Sequence, residues 1–168
     1  MRTALLIGFV LLGTASAFAA EEPSGCDRFK WPIERERAAL TAPDRVKLSS
    51  GGELAAPPAI GIALALVPSA DARLPTPPER TPKEGTFAAY INFKNAAKAG
   101  LYTISLSTGA WIDVVQDGRP LKPKGFSGAT DCDGIRKTMK YEMSASPFVL
   151  QISGARENAL SVAILPAE

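Results

Sequence analysis

The residues of this chain whose types could do chemistry are carboxylates and one polar–aromatic run, because the usual catalytic side chains are missing. The 168 residues contain no histidine. Iron held by two histidines and a carboxylate is excluded on ligand grounds. So are most catalytic zinc sites, the Ser-His-Asp triad and the Cys-His pair. The two cysteines, Cys26 and Cys132, are far apart rather than in a C-x-x-C pair. Their even number suits a disulfide, which removes thiolate chemistry as well. No glycine loop has the spacing that cradles phosphate. No metal and no cofactor is therefore expected. Asp131-Cys132-Asp133-Gly134 has the opening rhythm of a calcium loop, but the remaining oxygen ligands and the distal glutamate are absent. The plainer reading is a polar loop, capped by its aspartates, beside a disulfide. Paired carboxylates for glycoside cleavage would have to stand ~5–9.5 Å apart across a cleft, a separation that chain spacing does not define.

The sharper binding motif is Trp111 to Arg119, WIDVVQDGR. Two placements fit a strand here. If Ile112 and Val114 face the core, Trp111 and Asp113 project together from the outer face. A tryptophan beside an acid and Gln116 can then hold a sugar ring by stacking and a few placed hydrogen bonds. The other placement pairs Trp111 with Val115 in the core and is favoured by the high average burial of tryptophan. Asp113 would then be a buried or edge carboxylate seeking Arg119, Arg136 or Lys137. The candidate ligand contacts are Trp111, Asp113, Gln116, Arg119, Asp131, Asp133 and Arg136.

These residues must be positioned by strands. Tyr102, Ile104 and Leu106 alternate with Leu101, Thr103 and Ser105, a period of two. Trp111 to Gln116 follows, and Asp117-Gly118 marks a tight hairpin turn. In the next strand Ile135, Met139, Tyr141 and Met143 share a face with Lys137, while Arg136, Thr138, Lys140 and Glu142 take the other. Met139 and Met143 read as core fillers. Thr86 to Phe93 points Phe87, Ala89, Ile91 and Phe93 inward and Tyr90 outward. Phe148, Leu150 and Ile152 lead to a turn at Ser153-Gly154, and Leu160, Val162 and Ile164 close the sheet. Val46 to Leu48 is a short strand ending at Gly51-Gly52. Ile60 to Val67 is a nearly unbroken apolar run, which reads as a strand covered on both sides. Pro68 to Gly85 holds five prolines and reads as an extended crossover over one edge or end of the fold.

One helix is expected after Cys26, with Pro32 at its first position, Ile33, Arg37 and Leu40 on one face, and Pro43 ending it. Glu34, Arg35, Glu36 and Arg37 read as solvent-facing charges. With 14 prolines and 14 glycines, many short elements are favoured over long helices. Seven or eight short strands with regular turn signals predict an all-β, jelly-roll-like sandwich with one short N-terminal helix.

Residues 1–20 read as a cleaved signal peptide: Arg2, the apolar run Ala4 to Gly13, and Ala17-Phe18-Ala19 as cleavage site. The apolar run falls short of the ~20 residues a membrane helix needs. Residues 21–168 then form one periplasmic or secreted domain, without membrane insertion after cleavage. A formal net charge of +2, one unit of it on Arg2, and the lack of a basic run exclude a field that attracts nucleic acid.

CDRFKWPIERERA, PPERTPKEGTF, AGLYTISLSTGAWIDVVQDGR, DCDGIRKTMKYEM and SPFVLQISG together resemble a group of short exported alphaproteobacterial proteins. The resemblance spans essentially the whole mature chain and implies one compact exported unit. Members often carry the name homogentisate 1,2-dioxygenase. That enzyme is a much longer chain with histidine and glutamate iron ligands, and its histidine motif has no counterpart here, so no catalytic residue carries over. The rhythm around Trp111 is also similar to a strand pair in galactose-binding-like and PA14-like sandwiches, which implies carbohydrate held on a sheet face or its loops.

The function expected is therefore an exported, non-enzymatic binding protein, its partner a small molecule, a glycan or an envelope protein. The alternatives are an enzyme, either a carboxylate-based hydrolase or the dioxygenase of the resemblance, and a scaffold acting through an exposed sheet edge.

Overall fold

The computed structural model describes residues 24–168, and the expected signal peptide lies outside the described residues. Twelve strands form two sheets: β1 (Val46–Ser49), β2 (Gly52–Leu54), β3 (Ile62–Ala65), β4 (Val67–Pro68), β5 (Phe87–Phe93), β6 (Gly100–Leu106), β7 (Trp111–Gln116), β8 (Arg119–Pro120), β9 (Gly125–Gly128), β10 (Lys137–Met143), β11 (Phe148–Ala155) and β12 (Ala159–Pro166). The first sheet has the order β1-β3-β12-β6-β10-β9, the second β2-β5-β11-β7-β8, with β4 also paired to β5. Most pairs are antiparallel; β1 with β3 and β2 with β5 are parallel. This is an all-β sandwich with one short helix, as the alternating rows require, but with twelve strands among the described residues rather than seven or eight, because β2, β4, β8 and β9 are only two to four residues long and too short to show alternation.

The inward rows meet in one core. From the first sheet it takes Ile62, Leu64, Tyr102, Ile104, Leu106, Met139, Tyr141, Met143, Leu160, Val162 and Ile164. The second contributes Ala89, Ile91, Phe93, Ile112, Val114, Phe148, Leu150 and Ile152. Phe93 and Phe148 stack at 4.5 Å between centroids. Asp117 (φ 53°) and Gly118 (φ 72°) make the expected hairpin turn, two successive left-handed residues.

The outer faces are covered too. Helix α1 (Glu34–Thr41) lies on the first sheet, where Ile33, Ala39 and Leu40 pack with Ala129, Cys132, Ile135, Ala163 and Leu165. Ile135 therefore belongs to this smaller cluster, not to the row of Met139, Tyr141 and Met143, because the strand begins only at Lys137. Pro32 precedes the helix instead of opening it: Ile33 is the cap, and its N–H donates to Glu34 Oε2 at 3.0 Å. Glu36 is buried rather than solvent-facing. The expected disulfide joins Cys26, in a 3-10 turn (Cys26–Arg28), to Cys132 and ties the helical segment to the sheet.

The proline-rich crossover covers the outer face of the second sheet, not an edge or end. Gln151 on β11 holds it from both sides: Thr76 N–H donates to Gln151 Oε1 at 2.9 Å, and Gln151 Nε2 donates to Thr76 O at 3.0 Å. This explains why Ala88, Asp113 and Gln151 are buried although they face away from the core. The apolar run Ile60 to Val67 is split. Ile62, Leu64 and Leu66 are buried, Ala65 is exposed, and the chain passes to the other sheet at Val67. The turn expected at Ser153-Gly154 is a bulge within β11, and the chain turns at residues 156–158.

Candidate functional site

Several strand ends converge at one end of the sandwich and leave a cleft of about 1080 Å³. Trp111 opens β7, Lys137 opens β10, Ser153 and Gly154 form the bulge near the end of β11, and Thr108 to Ala110 belong to the loop that joins β6 to β7; all line it. Met139 also lines the cleft, and Phe126, on the edge strand β9, borders it at 50% exposure. Phe126 is the exposed large hydrophobic among the described residues. Register explains its position: Phe126 is paired with Met139 across β9 and β10, at the border where the apolar row runs out of the core.

Trp111 is half-buried here and is not a core residue; Ile112 and Val114 take the core instead. The placement favoured by average burial is thus corrected, because a strand that commits Ile112 and Val114 inward must turn Trp111 the other way. Its indole N–H donates to Asp113 Oδ1 at 3.0 Å. The other oxygen, Asp113 Oδ2, accepts from the Glu79 backbone N–H at 3.4 Å. The carboxylate therefore fixes the indole and the crossover together. Burial raises the Asp113 carboxyl above the ordinary aspartate range; the two hydrogen bonds oppose this and the Glu79 carboxylate adds to it. Burial likewise raises the Tyr141 phenol, with smaller contributions from Asp113 and Glu79, and its hydroxyl donates to Ile112 O at 3.2 Å.

Cations surround Trp111. The Arg80 guanidinium lies 5.8 Å from the ring centroid and Lys137 Nζ 5.7 Å, and Lys137 Nζ is also 5.5 Å from the centroid of Phe126. Such distances are within cation–π range. Lys137 Nζ donates to Ala110 O at 2.8 Å, and Arg136 Nη1 donates to Ala129 O at 2.9 Å.

Of the sequence candidates, the structure brings Trp111 and Arg136 into the cleft, with Asp113 bonded behind Trp111. The other four lie elsewhere. Gln116 is buried and clamps the β10–β11 turn, donating to Ser144 O (3.1 Å) and Ser146 O (3.0 Å) and accepting from Ser144 N–H (2.9 Å). Arg119 is exposed at the β7–β8 hairpin. Asp131 accepts from Gly25 N–H beside the disulfide, and Asp133 faces Arg37 at 3.8 Å on the surface. Asp131 and Asp133 are thus loop residues next to the bridge. Among the described residues no group of three or more His, Cys, Asp or Glu could hold a metal ion, and no helix is long and apolar enough to cross a membrane.

Arg80, Phe126, Lys137 and Arg156 of the cleft were not among the sequence candidates. One signal was present: Lys137 shares the core-facing row with Met139, Tyr141 and Met143, and a lysine in such a row marks where the row leaves the core. A second cleft of about 560 Å³ lies between α1, Pro57 to Ile60 and the end of β12; apart from Arg35 and Tyr102 its lining is apolar. Comparison with family models, with curated proteins and with solved structures finds no match to this chain.

Proposed function

We propose that the chain is an exported, non-enzymatic binding protein and that the Trp111 cleft is its ligand site, with carbohydrate as the ligand class. The observation that carries this reading is the aromatic wall of a large open cleft: Trp111 held in orientation by Asp113, and Phe126 half exposed across Lys137. An oriented ring beside hydrogen-bond donors suits a sugar, and Phe126 adds a second ring to the same cleft. Export is supported by the leader pattern of residues 1–20 and by the disulfide, which persists in oxidising compartments.

The test is a glycan array probed with the mature protein, followed by titration of any hit against Phe126→Ala. The expected result is a discrete set of bound glycans whose affinity falls about tenfold in the variant, the scale of one lost ring contact. An array without a bound glycan, or a hit indifferent to Phe126→Ala, overturns the reading.

A further inference from the structure

The crossover forms one wall of the Trp111 cleft through Arg80, Thr81, Lys83 and Thr86, and it is fastened unevenly. Upstream of that wall, Gln151 holds Thr76 by two hydrogen bonds and Asp113 Oδ2 accepts from the Glu79 N–H. Downstream, Thr86 is tied to Ser69, carbonyl to N–H and hydroxyl to hydroxyl. Between these points residues 80–85 are exposed, apart from half-buried Pro82. Among the described residues their hydrogen bonds stay inside the crossover, where the Thr86 N–H and hydroxyl both donate to Lys83 O.

This span reaches the strands through Arg80. Its guanidinium lies over the Trp111 ring, 5.8 Å from the centroid, and has no ion-pair partner among the described residues. Lys137, the other cation over this ring, is tethered through Nζ to Ala110 O and stays with its strand. Asp113 brings Arg80 and the ring together. One of its oxygens holds the indole N–H, and the other holds the backbone N–H of Glu79, the residue immediately before Arg80. The face of an indole that attracts a cation is also the face on which a sugar stacks. A guanidinium resting there occupies ground that the sugar needs.

Resting on the carbohydrate reading, we propose that Arg80 is an autoinhibitory cover on the Trp111 ring, displaced when a sugar stacks there. Asp113 is the positioning residue that presents cover and ring to each other. The solvated span 80–85 absorbs the movement, while Gln151 and Ser69 hold the crossover on either side. Displacing the cover forfeits one exposed cation–π contact, so the covered cleft binds a neutral sugar about two- to fivefold more weakly than an uncovered one.

The experiment takes two readings on the parent protein and on Arg80→Gln, whose exposed position predicts an unaltered thermal melt. The first is acrylamide quenching of Trp111 fluorescence in a Trp31→Phe background, which leaves Trp111 as the one tryptophan. The buried indole N–H of Trp31 has no hydrogen-bond partner among the described residues, so the phenylalanine strands no acceptor. Arg80→Gln should raise the quenching constant. The second reading is a glycan array of neutral glycans, followed by calorimetric titration of those that bind, with Trp31 intact. Arg80→Gln should tighten them by about two- to fivefold, and Arg80→Lys, which keeps a cation, should stay nearer the parent. Quenching unmoved by Arg80→Gln overturns the cover, whatever the glycans do. Raised quenching with glycan affinity unchanged or weakened also overturns it, and leaves the carbohydrate reading standing. No neutral glycan bound by the parent or by the variant overturns both.

Discussion

Asp113 shows how a residue can matter to a site it does not line. Its two oxygens take the indole N–H of Trp111 and the backbone N–H of Glu79. It lies under the crossover, where burial disfavours its charge. The sign of the consequence follows from linkage. A carboxyl whose folded pKa is raised binds more protons folded than unfolded, so its contribution favours the fold below the unfolded pKa and is lost as pH rises through the folded one. Asp113→Asn cannot titrate. Its stability relative to the parent protein is expected to improve as pH rises from the unfolded aspartate range through the raised folded pKa, read by urea denaturation at several pH values. A difference independent of pH over that window would show that Asp113 titrates normally. The motif around Trp111 was legible in the sequence because its residue types are rare and close together. Gln116, Arg119, Asp131 and Asp133 separate from it because sequence proximity does not say which face or which end of a strand is used.

At the scale of elements, strand existence was legible and coverage was not. The rows of Tyr102, Ile104, Leu106 and of Phe148, Leu150, Ile152 were visible as alternation, and they are the core. What alternation hides is that the opposite rows are buried as well, beneath α1 on one sheet and the crossover on the other. Gln151 and Asp113 are therefore buried polar residues that a period-two pattern assigns to solvent, and Glu36 is a buried acid on α1 itself. Such covering depends on contacts between residues far apart in the chain; Thr76 and Gln151 are 75 positions apart. Gln151→Ala should remove both hydrogen bonds to Thr76 and cost about 1–3 kcal/mol, with Thr76 left partly desolvated. Chemical denaturation measures that loss, and trypsin should reach Arg80 and Lys83 sooner than in the parent. Unchanged stability and unchanged cleavage would mean that the crossover is held by something else.

For the whole molecule, the disulfide is the long-range constraint. Cys26 and Cys132 are 106 positions apart, and a loop of that size is worth about 4.7 kcal/mol in the chain-entropy model, the upper part of the usual range. The bridge also fixes the helical segment that covers the first sheet. Cys132→Ser is expected to lower the unfolding free energy by about 2–5 kcal/mol, measured by denaturation without reductant, and reductant should bring the parent protein to the same level. A loss below 1 kcal/mol would show that packing of α1 alone holds the segment. This pairing could be read from the sequence, since two cysteines leave one pairing to make.

The crossover begins and ends at nearly the same point. Ser69 N–H donates to Thr86 O at 2.8 Å, and the two hydroxyls lie 3.0 Å apart. It also falls between the two bridged cysteines in the chain. A scission among its prolines would therefore split the polypeptide into two pieces that remain covalently joined, each supplying strands to both sheets. A protease could open this segment without dismantling the molecule, and the chain could accept an insertion there at little cost.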